Sequence, residues 1–216
     1  MPTSIAITGA SGYLGRALSH ALLARGHAVR ALVRPGGAAR TVPGVVAVEL
    51  DPFDHAQLAA ALRAGDTVVH LIGTPHPNPS KAAEFERVDL ASARVCAAAA
   101  AESGIAHFVY VSVAQPAPVM QAYVDSRRAA EAAICAARLT ATFVRPWYVL
   151  GPGHRWPYLL LPGYALARLI PWTRDTARRL GLITLAQMTR ALVRAVENPP
   201  VNGAARVVEV PEIRAS

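Results

Sequence analysis

The sequence predicts an α/β fold in which helices cover both faces of a parallel β-sheet, and three observations support this prediction. Short apolar runs with strand character alternate with longer segments of helical periodicity over most of the 216 residues. Gly26, Gly65 and Gly104 each fall between a helical segment and the next strand, where a left-handed cap is favoured. A glycine-rich turn joins the first strand to the first helix. Such alternation is typical of parallel sheets, because neighbouring parallel strands need a crossover connection.

The individual elements follow in a regular order. Strands are predicted at residues 5–7, 29–33, 45–50, 67–72, 107–113, 142–145 and 205–210. Helices are predicted at residues 13–25, 55–63, 82–103, 121–138 and 185–196. Each crossover is expected to be right-handed. The alternation stops after Gly151, so residues 151–180 are predicted to form a small irregular C-terminal lobe within a single domain spanning 1–216.

The turn after the first strand is the most informative local motif. Gly9, Gly12 and Gly15 have the spacing G-x-x-G-x-x-G between an apolar strand and a helical pattern. Glycines allow a sharp turn, a close approach of the backbone to phosphates and tight packing of helix against strand. The free amides and the positive dipole end of the helix would face the anion. The motif therefore predicts a binding site for a nucleotide pyrophosphate.

Composition favours one folded domain and argues against nucleic acid as a partner. Hydrophobic residues make up 53% of the chain, enough for a large core. The net charge of +8 would favour nucleic acid, but Lys81 is the only lysine and the arginines are scattered rather than clustered. A phosphate-tracking protein usually concentrates its charge on one face, so we expect no nucleic-acid binding.

Neither metal binding nor secretion is predicted. Cys96 and Cys135 lie in alanine-rich helical stretches, where buried apolar cysteines are ordinary. The seven histidines show no pair with the spacing of metal ligands on one helix. The sequence shows no secretory leader, and no apolar run approaches the ~20 residues of a spanning helix. We therefore expect a cytoplasmic protein without a metal.

Several motifs together resemble the short-chain dehydrogenase/reductase superfamily, in its extended and atypical branches of sugar-epimerase-like and NmrA-like NAD(P)H-binding proteins. These motifs are residues 8–15, Leu50-Asp51, Val88-Asp89, residues 108–112, residues 145–149, Gly151-Pro152-Gly153 and residues 182–184. The resemblance covers nearly the whole chain. It implies a Rossmann-type doubly wound sheet, a dinucleotide cofactor and a small substrate lobe.

The resemblance also implies which residues contact the cofactor. They are Gly9, Ser11, Gly12, Tyr13, Leu14, Gly15, Arg34, Asp51, Pro52, Leu71, Ile72, Gly73, Val111, Pro146, Trp147, Tyr148 and Val149. In this family the loop after the second strand selects the cofactor, because an acid there binds a ribose hydroxyl and an arginine binds the extra phosphate of NADP. Arg34 stands there without an acid nearby, so NADP is expected and NAD is left open. The alternative is that Arg34 is one more surface arginine.

The catalytic motif of the family is altered in this chain. Active members use a serine and a Tyr-x-x-x-Lys pair, in which lysine lowers the pKa of the tyrosine and holds the cofactor ribose. Tyr123 has the matching tyrosine position, but Arg127 replaces the lysine four residues later. Ser112 begins the serine segment, although the family register points nearer to Ala114. We predict Tyr123 as the acid/base, or else as a pocket-lining residue, Arg127 as the ribose clamp and Ser112 as a cofactor contact or strand cap.

These features predict an NADP-binding reductase of a small, largely apolar carbonyl-type substrate. The aromatic residues Trp147, Tyr148, Trp156 and Trp172 would line its pocket or close the edge of the core. The alternative is a non-catalytic NAD(P)H-binding redox sensor or accessory subunit, NmrA-like or similar to those of respiratory complex I. The lost lysine favours that alternative. An apolar segment at 159–169 leaves a homodimer or contact with a membrane surface open.

Overall fold

The computed structural model describes residues 3–151, 180–201 and 203–216. Nine strands lie within these ranges: β1 (Ser4–Thr8), β2 (Ala28–Val33), β3 (Val46–Glu49), β4 (Thr67–His70), β5 (His107–Val111), β6 (Ala141–Arg145), β7 (Tyr148–Leu150), β8 (Leu182–Thr184) and β9 (Ala205–Glu209). Seven of them form one parallel sheet in the order β3-β2-β1-β4-β5-β6-β9. The remaining two, β7 and β8, form a separate parallel pair.

The helices of the described ranges lie between these strands. They are α1 (Tyr13–Ala24), α2 (His55–Ala61), α3 (Ala82–Glu84), a π-helical turn π1 (Phe85–Leu90), α4 (Ala91–Glu102), α5 (Gln121–Ala136), α6 (Leu185–Glu197) and α7 (Val210–Arg214). Short 3₁₀ turns occupy Ala38–Arg40 and Pro79–Lys81. Helix α6 begins with a capping box in which Thr184 and Gln187 each satisfy the other's backbone amide.

This architecture confirms the predicted fold class, a Rossmann-type doubly wound sheet. Two predicted strands end earlier than expected, β4 at His70 and β5 at Val111, because the chain leaves the sheet there to build the loops at its C-terminal edge. The pair β7 and β8 was not predicted as strands. The interior of the predicted substrate lobe, residues 152–179 with Trp156, Trp172 and the segment 159–169, lies outside the described residues.

The five inner strands β1, β2, β4, β5 and β6 are buried on both faces, which explains their nearly continuous apolar sequences. The edge strand β3 is largely exposed. Within β5, Val109 packs into the cluster that contains residues of α1 and α6, such as Leu18 and Leu192. Its neighbours Phe108 and Tyr110 point the other way, into the cluster that contains residues of α2, α4 and α5. The strand's alternation therefore connects two hydrophobic layers, and each helix covers the sheet with its apolar side.

Two histidines are buried inside this core and are held in their neutral form. His70 Nδ1 lies 2.9 Å from the Thr8 hydroxyl, and its Nε2 lies 3.2 Å from Ser92 Oγ. Burial, helped by the positive charge of Arg127, lowers the pKa of His70 to about 3. His107 Nε2 contacts the Thr142 hydroxyl at 2.9 Å, and burial lowers the pKa of His107 to about 4. Protonating either ring would place a charge in an apolar interior.

We therefore expect the free energy of unfolding to decrease as the pH falls from about 6.5 towards 4. In that range the unfolded chain binds protons at His70 and His107 that the folded chain does not bind. Each histidine contributes a slope of at most about 1.4 kcal/mol per pH unit. Urea unfolding followed by circular dichroism at pH 7, 6 and 5 measures this slope. His70→Gln should reduce the slope by about half, and an unchanged slope in this variant would contradict the assignment.

Candidate active site

The candidate site is a cleft at the C-terminal edge of the sheet, where β1 lies between β2 and β4. The chain leaves β1 towards one side and returns into β4 from the other, which opens a crevice at this switch point. The cleft has a volume of about 520 Å³. Its lining combines residues at or after the ends of four strands, β1 to β4, with one residue of the π-helical turn: Gly9, Ser11, Gly12, Leu32, Val33, Arg34, Arg40, Pro52, Phe53, Leu71, Ile72, Gly73, Pro75 and Val88.

The glycine loop is shaped by contacts that exclude larger side chains. Gly9 has a positive φ of 72°, and a Cβ there would lie 3.0 Å from the carbonyl carbon of Leu71. The Gly12 amide donates to the Gly9 carbonyl at 3.0 Å, which closes the turn. A Cβ on Gly15 would overlap the Gly9 carbonyl and lie 2.6 Å from Ala10 Cα. The loop therefore packs backbone on backbone, and helix α1 begins at the cleft without a side-chain cap on its first amides.

Two arginines lie at the end of the cleft beside β2. Arg34 and Arg40 are exposed and line the cleft, and neither forms an ion pair with a described residue. An acid that the sequence analysis did not place here, Glu49 of β3, stands opposite Val33 in the sheet register. Its carboxylate accepts the Ala38 amide at 3.2 Å and does not line the cleft. This end of the cleft therefore offers two guanidinium groups to an anion.

Asp51 forms hydrogen bonds that hold the turn carrying the cleft residues Pro52 and Phe53. Its carboxylate accepts the Phe53 amide at 2.9 Å, and its own amide donates to Gln57 Oε1 at 3.0 Å. The resulting turn places Pro52 and Phe53 along the cleft, with Phe53 42% exposed. Asp51 itself does not line the cleft in this structure. Phe53 was not among the residues expected from the sequence.

Helix α5 places Tyr123 and Arg127 one turn apart on the same face. The guanidinium carbon of Arg127 lies 5.1 Å from the centre of the Tyr123 ring and 5.6 Å from that of Tyr110, within range of a cation–π interaction. Phe85 also packs against Tyr123, with ring centres 5.0 Å apart. Tyr123 is half-buried, whereas Arg127 is only 6% exposed. The guanidinium is therefore in contact with two phenol rings.

The Arg127 guanidinium is bound to the protein itself. It donates to Asp89 Oδ1 at 2.6 Å, to the Val111 carbonyl at 2.9 Å and to the Tyr110 hydroxyl at 3.2 Å. Burial disfavours its charge, but the surrounding tyrosines and Asp89 raise the pKa of Arg127 above its ordinary value. Burial also raises the pKa of Tyr110 to about 12, so that phenol stays neutral. Arg127 is thus a permanent buried cation whose Nη atoms are occupied.

Asp89 is a buried residue of the candidate site that the sequence predictions did not assign to the site, although Val88-Asp89 belongs to the family motif. Asp89 is fully buried, and its Oδ2 accepts the Thr74 amide at 2.9 Å and the Thr74 hydroxyl at 2.6 Å. It lies in π1, whose wider turn carries this carboxylate into the core. A charged residue between the apolar Val88 and Leu90 was the available signal.

The remaining predicted residues lie around the loops after β5 and β6. Ser112 is 2% exposed, and its hydroxyl has no hydrogen-bond partner among the described residues. The Ala114 amide donates to the Pro146 carbonyl at 2.9 Å, which joins the two loops. Trp147 and Tyr148 form an edge-to-face pair with ring centres 5.7 Å apart, and burial raises the pKa of Tyr148. None of these five residues lines the cleft described above.

Of the other predicted contacts, Tyr13 is 37% exposed and its hydroxyl lies where a Cβ of Gly151 would be. Leu14, Val111 and Val149 pack against the hydrophobic core. Within the described ranges there is no group of three or more histidine, cysteine, aspartate or glutamate side chains that could hold a metal ion. The same ranges contain no helix of the length and apolarity needed to cross a membrane.

Comparison with known proteins extends this picture. Residues 9–157 match the NAD(P)H-binding family. The ceramide reductase of Caulobacter vibrioides (strain NA1000 / CB15N) is 30% identical over 97% of this chain and 65% of its own length. A 4-hydroxy-2-methyl-3-oxo-4-farnesyl-3,4-dihydroquinoline-1-oxide ketoreductase from Stigmatella aurantiaca is 38% identical over 49% of this chain and 32% of its own. This chain therefore spans less than two thirds of either relative.

Solved structures share the fold at lower identity. MoeE5 in complex with UDP-glucuronic acid and NAD superimposes with a TM-score of 0.71 at 22% identity. The alignment covers 97% of this chain and 79% of MoeE5. This similarity supports the Rossmann fold inferred from the sheet order.

The contact beneath the glycine loop leads to a test of its packing. Gly→Ala near the start of an open helix normally stabilises a protein by about 0.5–1 kcal/mol. Gly15→Ala should instead reduce the free energy of unfolding by roughly 1–3 kcal/mol, because the new Cβ would overlap the Gly9 and Ala10 backbone. Urea unfolding measures the change. Gly65→Ala, at a positive φ with open space around it, is the control for backbone strain alone, and stabilisation by Gly15→Ala would refute the packing argument.

Proposed function

Because the chain belongs to the NAD(P)H-binding family within the short-chain dehydrogenase/reductase superfamily, we propose that it is an NADPH-dependent reductase of a largely apolar carbonyl compound. The observation that carries this proposal is the cleft at the switch point of the sheet, with a glycine loop at one end of β1 and, beside β2, two arginines that form no ion pair with a described residue. When bound, NADPH supplies a hydride.

The cleft residues fit a dinucleotide. Gly9 and Gly12 leave a backbone surface without side chains, and Ser11 lies between them on the same wall. An uncapped helix N-terminus favours the pyrophosphate there, through its free amides and its dipole. Phe53 and Pro52 offer an apolar wall for the adenine. Segment 71–73 forms the opposite wall, beside which the adenosine ribose would lie.

Arg34 and Arg40 favour NADP over NAD. A 2′-phosphate carries extra negative charge, and guanidinium groups bind phosphate with charge-assisted hydrogen bonds. The acid that could instead bind a free ribose hydroxyl, Glu49, already accepts the Ala38 amide. The proposal is therefore that Arg34 and Arg40 hold the 2′-phosphate together.

This cofactor choice is tested by titrating the protein with NADPH and NADH, using calorimetry or cofactor fluorescence. Arg34→Ala and Arg40→Ala should each weaken NADPH binding about 10-fold or more, since a charge-assisted hydrogen bond contributes roughly 1.5–3 kcal/mol. NADH binding should change little. Arg94→Ala, an exposed arginine on α4 away from the cleft, is the matched control. Equal effects of Arg34→Ala on both cofactors would contradict NADP selection.

Carbonyl reduction is supported by the tyrosine on α5 and by the relatives. The Tyr123 phenol would donate the proton that the carbonyl oxygen needs as it is reduced. The names of two relatives denote reductions, of ceramide and of a farnesyl-bearing quinoline compound, and both compounds carry apolar chains. Trp147 and Tyr148, at the same edge of the sheet, would add aromatic surface for an apolar substrate.

A second candidate is a non-catalytic NAD(P)H-binding sensor or accessory subunit. The observation in its favour is that Arg127, at the position of the family's lysine, has both Nη atoms bound within the protein. Ala114 also lacks the hydroxyl expected of a catalytic serine. Such a protein would bind NADPH and transmit its redox state without turnover.

Tyr123→Phe separates the two candidates. If Tyr123 donates the proton, the variant should lose 100-fold or more of the reductase kcat while NADPH affinity changes less than threefold. NADPH oxidation with a panel of apolar ketones and aldehydes measures kcat, and cofactor fluorescence measures binding. Tight NADPH binding by the wild type without turnover on the panel would favour the sensor.

A further inference from the structure

Asp89 touches both parts of the site with its two carboxylate oxygens. Oδ1 accepts the Arg127 guanidinium at 2.6 Å, and Arg127 in turn lies against the face of Tyr123. Oδ2 accepts the amide and hydroxyl of Thr74, at 2.9 and 2.6 Å. Thr74 directly follows the segment 71–73 that forms one wall of the cleft. One buried carboxylate therefore joins the cleft wall to helix α5.

Gly73 makes this junction possible. A Cβ at residue 73 would overlap Arg127 Nη2, and it would lie 3.2 Å from Asp89 Oδ1 and 3.4 Å from Arg127 Cζ. The ion pair therefore lies directly behind the backbone of a cleft residue. Gly73 has no side chain, so the Arg127 guanidinium occupies the space beside its Cα. If the guanidinium moved, the Gly73 backbone would lose this packing contact.

The π-helical turn holds Asp89 in this position. Ser126 Oγ, one residue before Arg127, donates to the Phe85 carbonyl at 2.9 Å, so α5 is bonded to the first residue of π1. Phe85 also packs against Tyr123. The carboxylate and the guanidinium thus belong to two elements that are attached at more than one point, which fixes their relative position.

We propose that Asp89 is a positioning residue that couples the two halves of the site, holding the cofactor-cleft wall through Thr74 and the Tyr123 phenol through Arg127. This inference rests on the proposed function. It assigns the arginine at residue 127 a role different from that of the family's lysine: Arg127 supports Tyr123 and the Gly73 backbone from inside the protein. Lysine could keep the charge but not the planar group that contacts both rings and donates in several directions.

The coupling predicts that substitutions on the two sides of Asp89 affect different constants. Thr74→Val removes the hydroxyl on the cleft side and should weaken NADPH binding about three- to tenfold, with kcat within twofold. Arg127→Lys removes the planar guanidinium that contacts Tyr123 and should lower kcat 10-fold or more, with NADPH affinity within threefold. Asp89→Asn leaves one acceptor and a buried unbalanced cation, and it should impair both constants 10-fold or more.

Asp66→Asn is the matched control for a merely structural role. Asp66 is 1% exposed and forms another described buried carboxylate–arginine pair, with Arg30 of β2, at the opposite edge of the sheet from the cleft. This variant should lower the thermal unfolding temperature as Asp89→Asn does, yet leave NADPH affinity and kcat within twofold when measured well below that temperature. If Asp89→Asn behaves like Asp66→Asn in both constants, the proposal is overturned.

A spectroscopic measurement separates this proposal from the reductase assignment. In the wild type, NMR should show an Arg127 guanidinium with restricted rotation, assigned by its absence in Arg127→Lys. Asp89→Asn should release that rotation and shift the Tyr123 ring signals, assigned with Tyr123→Phe. An unrestricted guanidinium, or unshifted Tyr123 signals, overturns the positioning role even if the wild type reduces ketones. Restricted rotation and shifted signals in a protein without turnover would support the coupling while the reductase assignment failed.

Discussion

The pairing of β1 with both β2 and β4 is the constraint on which the rest of the molecule depends. It forces the chain to leave one strand and enter the next on opposite sides, so the C-terminal ends of these strands cannot be covered by a helix. The glycine loop lies at the C-terminal end of β1 and packs there through backbone contacts, with Gly9 against Leu71 and Gly15 against Ala10. Because helices cover both faces of the inner strands, the polar loops that line the cleft are concentrated at the C-terminal edge of the sheet.

Buried charge is the second organising feature, and it occurs at both ends of the sheet. The pair Arg30–Asp66 lies at one edge and the pair Arg127–Asp89 at the other. Breaking such a pair by removing one partner costs about 3–5 kcal/mol, because the remaining charge is left without compensation. The Arg127 pair differs in its location, since it lies directly behind a cleft residue. Its stability and its influence on the site are therefore linked.

Arg127, which stands at the lysine position of the family's Tyr-x-x-x-Lys motif, has a structural explanation in these contacts. An arginine in place of the lysine would be a simple loss if the guanidinium pointed at solvent. Instead it donates to Asp89, Val111 and Tyr110 and contacts two phenol rings. Arginine suits this position because its planar group can stack and donate in several directions at once. The cation at residue 127 is thus held in place by three hydrogen bonds within the protein.

Sequence patterns by themselves determined the parallel sheet as a fold class, the alternation of strands and helices along the chain and the glycine loop, because each depends on periodicity and backbone freedom within a few neighbouring residues. The order of the strands in the sheet was seen only in the tertiary structure. Resemblance to a family supplied eight of the fourteen residues that line the cleft. It missed Leu32, Val33, Arg40, Phe53, Pro75 and Val88, since their positions depend on how the strand ends, the loops and the π-helical turn fold together. Tertiary structure alone decided that Asp89 meets Arg127 and Thr74. Those contacts join residues far apart in the chain, and they form only because a π-helical turn directs one carboxylate into the core.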